Sequence, residues 1–219
     1  MGKDVFAVAH GRTTLHCETR HGTAAGRHVT VVDSPGWFYN NSLEDTCALD
    51  KQEIEYSMHL CPPGPNAVLL VVGLASAFNA PCQRAVVEHM GLFKEEVWDH
   101  TVVLLTRGEM LGVKTVEERI ESEEGLRWLV EKCGNRYHVL DNTKRADETQ
   151  VVELLEKVEE MWVGNGGSQY EIDLGHAALI EAKKNAQERR AKMNRLKVHR
   201  QQRVLRELFR GEQINILFK

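Results

Sequence analysis

A chain of 219 residues with 42% hydrophobic and 27% charged residues is long enough to bury the core of one ordinary domain and carry an appendage. Its formal charge of −4 does not point to a nucleic-acid binder, and five scattered cysteines without a CxxC pair exclude a zinc ribbon or a disulfide framework. No apolar run reaches the roughly 18 residues of a transmembrane helix, Met1 is followed by no signal-like apolar core, and Phe6 stands where a myristoylation start has Ser or Thr; a cytoplasmic protein with reduced thiols is expected.

In chain order, Thr13–Arg20 reads as an edge strand, joined through a loose six-residue turn at 21–26 to a strand at Val29–Val32. Further near-continuous apolar runs follow at Ala67–Leu74, Thr101–Thr106 and Tyr137–Leu140. Runs of this kind suit parallel strands covered on both faces. Helices are predicted over Ala80–Val97, over Thr115–Cys133 with Gly134 as its cap, and over Glu148–Val163, where Val151, Leu154, Leu155, Val158, Met161 and Trp162 form one stripe. This alternation predicts an α/β domain with a mostly parallel sheet flanked by helices. A Gly-rich linker at 164–168 closes it, giving domains 1–167 and 168–219. The second is a basic helical extension, predicted helical from Asp173 to Phe209, with eleven Lys/Arg against two acids from Lys183 to Arg210. Its polar middle predicts a solvated helix that folds back or pairs as a coiled coil, and it lacks the interleaved aromatics of a single-strand binder.

Three features fall at strand ends, where ligands of open α/β sheets lie. Asp33-Ser34-Pro35-Gly36 follows the Val29–Val32 strand; it suits a Mg²⁺-linked Asp with a mobile phosphate-contacting Gly, and equally a strand-ending turn. Arg107-Gly108-Glu109 follows Thr101–Thr106, where an acidic side chain can accept the paired donors of a guanine edge that adenine lacks. Asn142 follows Tyr137–Leu140, as a base-contacting loop or as a turn residue. Trp37 and Phe38 read as core or as a partner-contacting segment, and the ten histidines show no metal-ligand spacing.

VVDSPGWF (31–38), LLTRGEMLG (104–112), EGLRWLVEKCGNRYHVLDN (124–142) and QVVELLEKVEEM (150–161) closely resemble the GIMAP (GTPase of immunity-associated proteins) family, P-loop GTPases. GKDVF (2–6) resembles the segment after that family's phosphate-binding loop and first helix, and Leu69–Phe78 its hydrophobic box. The resemblance implies GTP or GDP with Mg²⁺ as ligand, and Thr14, Asp33, Gly36, Arg107, Gly108, Glu109 and Asn142 as nucleotide contacts. Asp33 and Thr14 would serve the metal; Thr14 also reads as a β-branched edge-strand residue. Glu109 stands where the family more often has Asp, and no catalytic side chain maps across. The resemblance further implies assembly with other domains of the type, association with intracellular membranes and a role in immunity.

The 219 residues contain no GxxxxGK[ST] run, whose amides and lysine cradle phosphates. The fold is therefore expected to lack its first strand and P-loop, leaving a slot between the strands at Val29–Val32 and Ala67–Leu74. Nucleotide binding is expected to be weak or absent, with hydrolysis by this chain not expected. The alternative is a nucleotide-free pseudo-GTPase or fragment acting as a protein-interaction or oligomerisation module.

Overall fold

The structure, a computed structural model, describes residues 14–144 and 146–208, leaving aside the side chains of 177 and 205–208. The expectations placed on Gly2–Phe6, Thr13 and Phe209 lie outside the described residues. One compact unit runs through Leu174 and a second begins at Gly175.

Strands β1 (Glu18–Ala24) and β2 (Arg27–Asp33) form an antiparallel hairpin, registered from Glu18 against Asp33 to Ala24 against Arg27. The six-residue turn expected at 21–26 is corrected: only Ala25 and Gly26 turn, at φ 50° and 75°. Two left-handed residues in succession match the right-handed twist of the flanking strands, so His21–Ala24 stay in the ladder. β1 accordingly starts at Glu18, later than predicted. The Arg27 guanidinium reaches across to the Glu159 carboxylate at 2.8 Å, fixing the hairpin to a later helix.

Three parallel strands make the second sheet in the order β3 (Val68–Gly73), β4 (Thr101–Thr106), β5 (Tyr137–Leu140). β4 is paired on both edges, and Thr101, Val102, Val103 and Leu105 are fully buried. Among the described residues the two sheets share no strand pairing, so β2 and β3 each keep one edge without a strand partner. The expected parallel sheet flanked by helices is present as β3–β4–β5, with the β1–β2 hairpin a separate sheet.

Helix α1 (Ala48–Ser57) was not predicted. Its buried face is built from Asp50, Glu53 and Ile54 rather than an apolar stripe, and the Glu53 carboxylate accepts the Cys17 N–H at 2.8 Å. Helix α2 (Ala80–Met90) begins at the Asn79 cap, whose side chain accepts the Cys82 N–H. It stops at Gly91 instead of reaching Val97, because the chain extends at Lys94 and re-forms a short 3-10 turn over Glu95–His100. The single helix expected over Thr115–Cys133 divides into α3 (Val116–Ser122) and α4 (Glu124–Lys132). Thr115 and Glu118 cap α3 reciprocally. The break falls at Glu123, whose carboxylate is drawn off to accept the Phe78 N–H at 2.8 Å and to pair with Arg119 at 2.7 Å. Gly125 lets α4 pass Phe78, since a Cβ there would sit 2.7 Å from the Phe78 carbonyl oxygen.

Helix α5 (Thr149–Gly164) buries Met161, while Val151 and Trp162 at the margins of the predicted stripe are exposed. The core gathers Cys82, Val86 and Met90 of α2, Leu126, Leu129 and Val130 of α4, and Val103 and Leu105 of β4. Helix α6 (Leu174–Leu208) is 35 residues long and carries Lys183, Arg189, Arg190 and Lys192 exposed along it. No helix among the described residues is long and apolar enough to cross a membrane.

Candidate functional site

Two loops at the carboxyl ends of β4 and β5 are hydrogen-bonded to each other. Arg107, immediately after β4, adopts a left-handed conformation at φ 62°, ψ 45°. That turn aims its backbone N–H at the next loop, where Asn142 Oδ1 accepts it at 2.8 Å. The return bond runs from the Asn142 N–H to Glu109 Oε2 at 3.0 Å. Gly108 is required between them: a Cβ would lie 2.7 Å from Val139 Cγ1 and 3.3 Å from the Leu140 carbonyl oxygen. Arg107, Glu109 and Asn142 are all exposed, so the paired loops present a carboxylate to solvent on a fixed frame.

The Asn142 loop is itself braced. The Asp141 N–H donates to Gln150 Oε1 of α5 at 2.6 Å. Its carboxylate accepts the Thr143 hydroxyl and N–H, and that bonding, with Lys144 nearby, holds Asp141 below the usual carboxylate range. Glu109 Oε2 keeps a second lone pair and Oε1 has two, so the group can still accept a pair of parallel N–H donors.

The second cluster lies at the end of β2. The Thr14 hydroxyl donates to Asp33 Oδ2 at 3.2 Å, bringing together the two residues expected to serve a metal. Two hard oxygen donors at this spacing suit Mg²⁺, which takes one or two protein oxygens and draws the rest of its shell from phosphate and water. Gly36 sits at φ 60°, a left-handed conformation that glycine adopts freely, with open space where a Cβ would stand. Asp33, Ser34 and Gly36 line a cavity of about 660 Å³ between β2 and β3, whose far wall is Leu69–Gly73. The Arg107, Glu109 and Asn142 cluster is not part of that lining.

Trp37, read from the sequence as core or as a partner contact, packs against the core; the residues that it and the following segment rest on are not found from sequence. Trp37 stacks on His89 of α2, the Leu43 N–H donates to the Glu88 carboxylate at 2.7 Å, and the Thr46 hydroxyl meets His89 Nε2 at 2.8 Å. His89 Nδ1 must donate to the Ala85 carbonyl at 2.7 Å. Burial lowers the pKa of His89, so the ring is neutral and Nε2 accepts from Thr46. The only sequence signal was a histidine among the apolar positions of α2, which reads equally as a core residue.

A family model described as the AIG1 family matches residues 1–190. The chain is 32% identical over 173 residues to GTPase IMAP family member 8 of Homo sapiens, covering 76% of this chain and 25% of that protein. It is 28% identical over 184 residues to Immune-associated nucleotide-binding protein 13 of Arabidopsis thaliana, covering 80% of this chain and 54% of the relative. Immune-associated nucleotide-binding protein 9 of the same plant is 31% identical over 166 residues, with 72% and 47% covered. The chain thus spans a quarter of the human relative's length and about half of each plant relative's.

Proposed function

The chain belongs to the AIG1 family, the immunity-associated branch of the GTPases, and from that premise we propose that it is a guanine-nucleotide-binding domain whose base is read by Glu109. The observation that carries this reading is the reciprocal bonding of the loops through Arg107, Glu109 and Asn142. In it the Glu109 carboxylate receives the N1 and N2 donors of guanine, Gly108 leaves room for close approach, and the Asn142 loop flanks the base. Asp33 and Thr14 hold Mg²⁺ through oxygen, and Gly36 contacts phosphate. The relatives' names, a GTPase and nucleotide-binding proteins, support the ligand class.

Affinity is set by what surrounds the phosphates. Amide cradles and a lysine supply most of it in such sites, and the 219 residues contain no GxxxxGK[ST] run to provide them. That observation favours a second reading for the chain as it stands: a nucleotide-free module that assembles with related domains, with α6 offered to partners or to an intracellular membrane.

Titration of fluorescent GDP, GTP and ADP with Mg²⁺ separates the two. The first reading expects guanine-selective binding, weaker than about 1 μM, that Glu109→Ala removes. Equal binding of ADP and GDP sinks guanine recognition by Glu109. Absence of any binding at millimolar nucleotide leaves the module reading standing alone.

A further inference from the structure

Gln150, the second residue of α5, is half-buried, while residues 142–144 beside it are exposed. Its side-chain amide uses both ends on one short loop. Oε1 accepts the Asp141 N–H at 2.6 Å, and Nε2 donates to the Lys144 carbonyl at 3.1 Å. A donor facing one end and an acceptor facing the other fix which way the amide points. Gln150 therefore grips the loop at 141 and at 144, on either side of Asn142. The grip has a firm base. α5 buries Met161, Lys157 Nζ donates to the Tyr137 carbonyl at 2.8 Å, and Glu159 takes the Arg27 guanidinium.

What the grip positions is the frame of the candidate base site. Asn142 accepts the Arg107 N–H on Oδ1 and donates its own N–H to Glu109 Oε2. An exposed glutamate is a flexible stem that loses rotamer freedom when its carboxylate is held for a ligand. Here the Asn142 N–H holds it, and the place of that N–H is set from α5 through Gln150. Near relatives of glutamine cannot do this at position 150. A glutamate accepts from Asp141 but turns a charge on the Lys144 carbonyl, a lysine donates but cannot accept, and an asparagine is a methylene short.

We propose that Gln150 is a positioning residue for guanine recognition: its amide clamps the loop at 141–144 so that Asn142 holds the Glu109 carboxylate ready for the paired donors of the base. The role rests on the guanine-binding reading above, and Gln150 acts through Asn142 rather than on the base.

The test compares the full chain with Gln150→Glu, Gln150→Leu and Thr149→Ala, an exposed neighbour in the same turn of α5. Each is titrated with fluorescent GDP and ADP in Mg²⁺, and amide hydrogen exchange at Arg107 and Asn142 is followed by NMR without nucleotide. Exchange at both amides should quicken by roughly tenfold in the two Gln150 variants. Their preference for GDP over ADP should fall by roughly tenfold or to equality, because the carboxylate that discriminates is no longer held. Thr149→Ala should change neither. A purely structural part for Gln150 would weaken GDP and ADP alike and leave their ratio where it stands, and that result overturns the proposal. Unchanged exchange at Asn142 in Gln150→Glu overturns it whatever the nucleotides do. A parent that prefers GDP, with Gln150 variants that keep the preference, overturns the role of Gln150 alone. A parent without that preference overturns the guanine reading and this role with it.

Discussion

Trp37 lies flat on His89, with ring centroids 4.4 Å apart and planes 7° from parallel. The contact ties the segment after Asp33-Ser34-Pro35-Gly36 to α2, and Thr46 completes it by donating to His89 Nε2. Removing that hydroxyl leaves a buried ring nitrogen without its donor, which costs about 1–3 kcal/mol. Thr46→Val should therefore lower stability by about that amount, and Thr46→Ser, which keeps the hydroxyl, by under about 1 kcal/mol. Urea denaturation followed by tryptophan fluorescence reads both. A larger loss for Ser than for Val would mean the methyl, not the hydrogen bond, holds the segment.

The same histidine gives the fold a pH dependence. Burial holds both His89 and His138 below the ordinary imidazole value. As pH falls through about 6.5, the unfolded chain takes up protons that the folded chain refuses, so folding loses free energy. The contribution of these two rings is complete above that pH and falls away below it, by at most about 1.4 kcal/mol per pH unit for each. Melting temperatures at pH 7.5 and 5.5 should differ, with the lower value in acid. Stability that stays flat across this interval would contradict depressed values for either ring.

How much of this was readable beforehand differs from residue to residue. β4 and β5 were legible to the residue because an apolar run bounded by turn chemistry leaves little choice of conformation. Asp33 and Arg107 were placed at strand ends for the same reason. The reciprocal bond between Glu109 and Asn142 was not legible, since it joins loops distant in sequence and obeys no local period. α1 was missed because two of its three buried positions, Asp50 and Glu53, are acids, and Glu53 is bonded to Cys17 just before β1, the reverse of an amphipathic stripe. The break at Glu123 was missed because Phe78, a distant residue, supplies the competing hydrogen bond.

Arg107 occupies the left-handed region at φ 62°, which costs an L-residue about 1–2 kcal/mol. Arg107→Gly should recover part of that cost, raising stability by about 0.5–1 kcal/mol once the added backbone entropy of glycine is subtracted. Because the Asn142 bond uses the backbone N–H, the loop geometry should survive. Denaturant midpoints of the two proteins decide it. A less stable glycine variant would show that the guanidinium itself holds the loop.

The five free cysteines should separate cleanly by rate of alkylation in the native protein. Cys47 is exposed at the start of α1, whereas Cys82 and Cys133 are fully buried. Burial pushes the Cys133 thiol up to about 12, leaving almost no thiolate at neutral pH. Burial also raises Cys61. Mass mapping after brief iodoacetamide treatment should find Cys47 modified and Cys82 and Cys133 untouched until denaturant is added. Early labelling of Cys133 would mean that α4 opens without global unfolding.

The tightest steric demand in the first compact unit is at Gly64. A Cβ built there would fall 1.6 Å from the Tyr170 carbonyl oxygen and 2.9 Å from its carbonyl carbon. Backbone cannot rotate aside as a side chain can, so the two strands of chain must separate. That separation would also pull on the Tyr170 N–H bond to the Pro65 carbonyl at 3.0 Å, and on the Tyr170 hydroxyl that accepts the Lys94 N–H at 3.0 Å. Gly64→Ala should therefore cost about 3 kcal/mol or more, at the upper end of overpacking penalties. Tyr170→Phe keeps the ring in place and loses only the acceptor for Lys94, so it should cost about 1–3 kcal/mol. Thermal melts of the two variants rank them directly. A Gly64→Ala protein as stable as the parent would mean that residues 169–171 do not pack on this turn in solution.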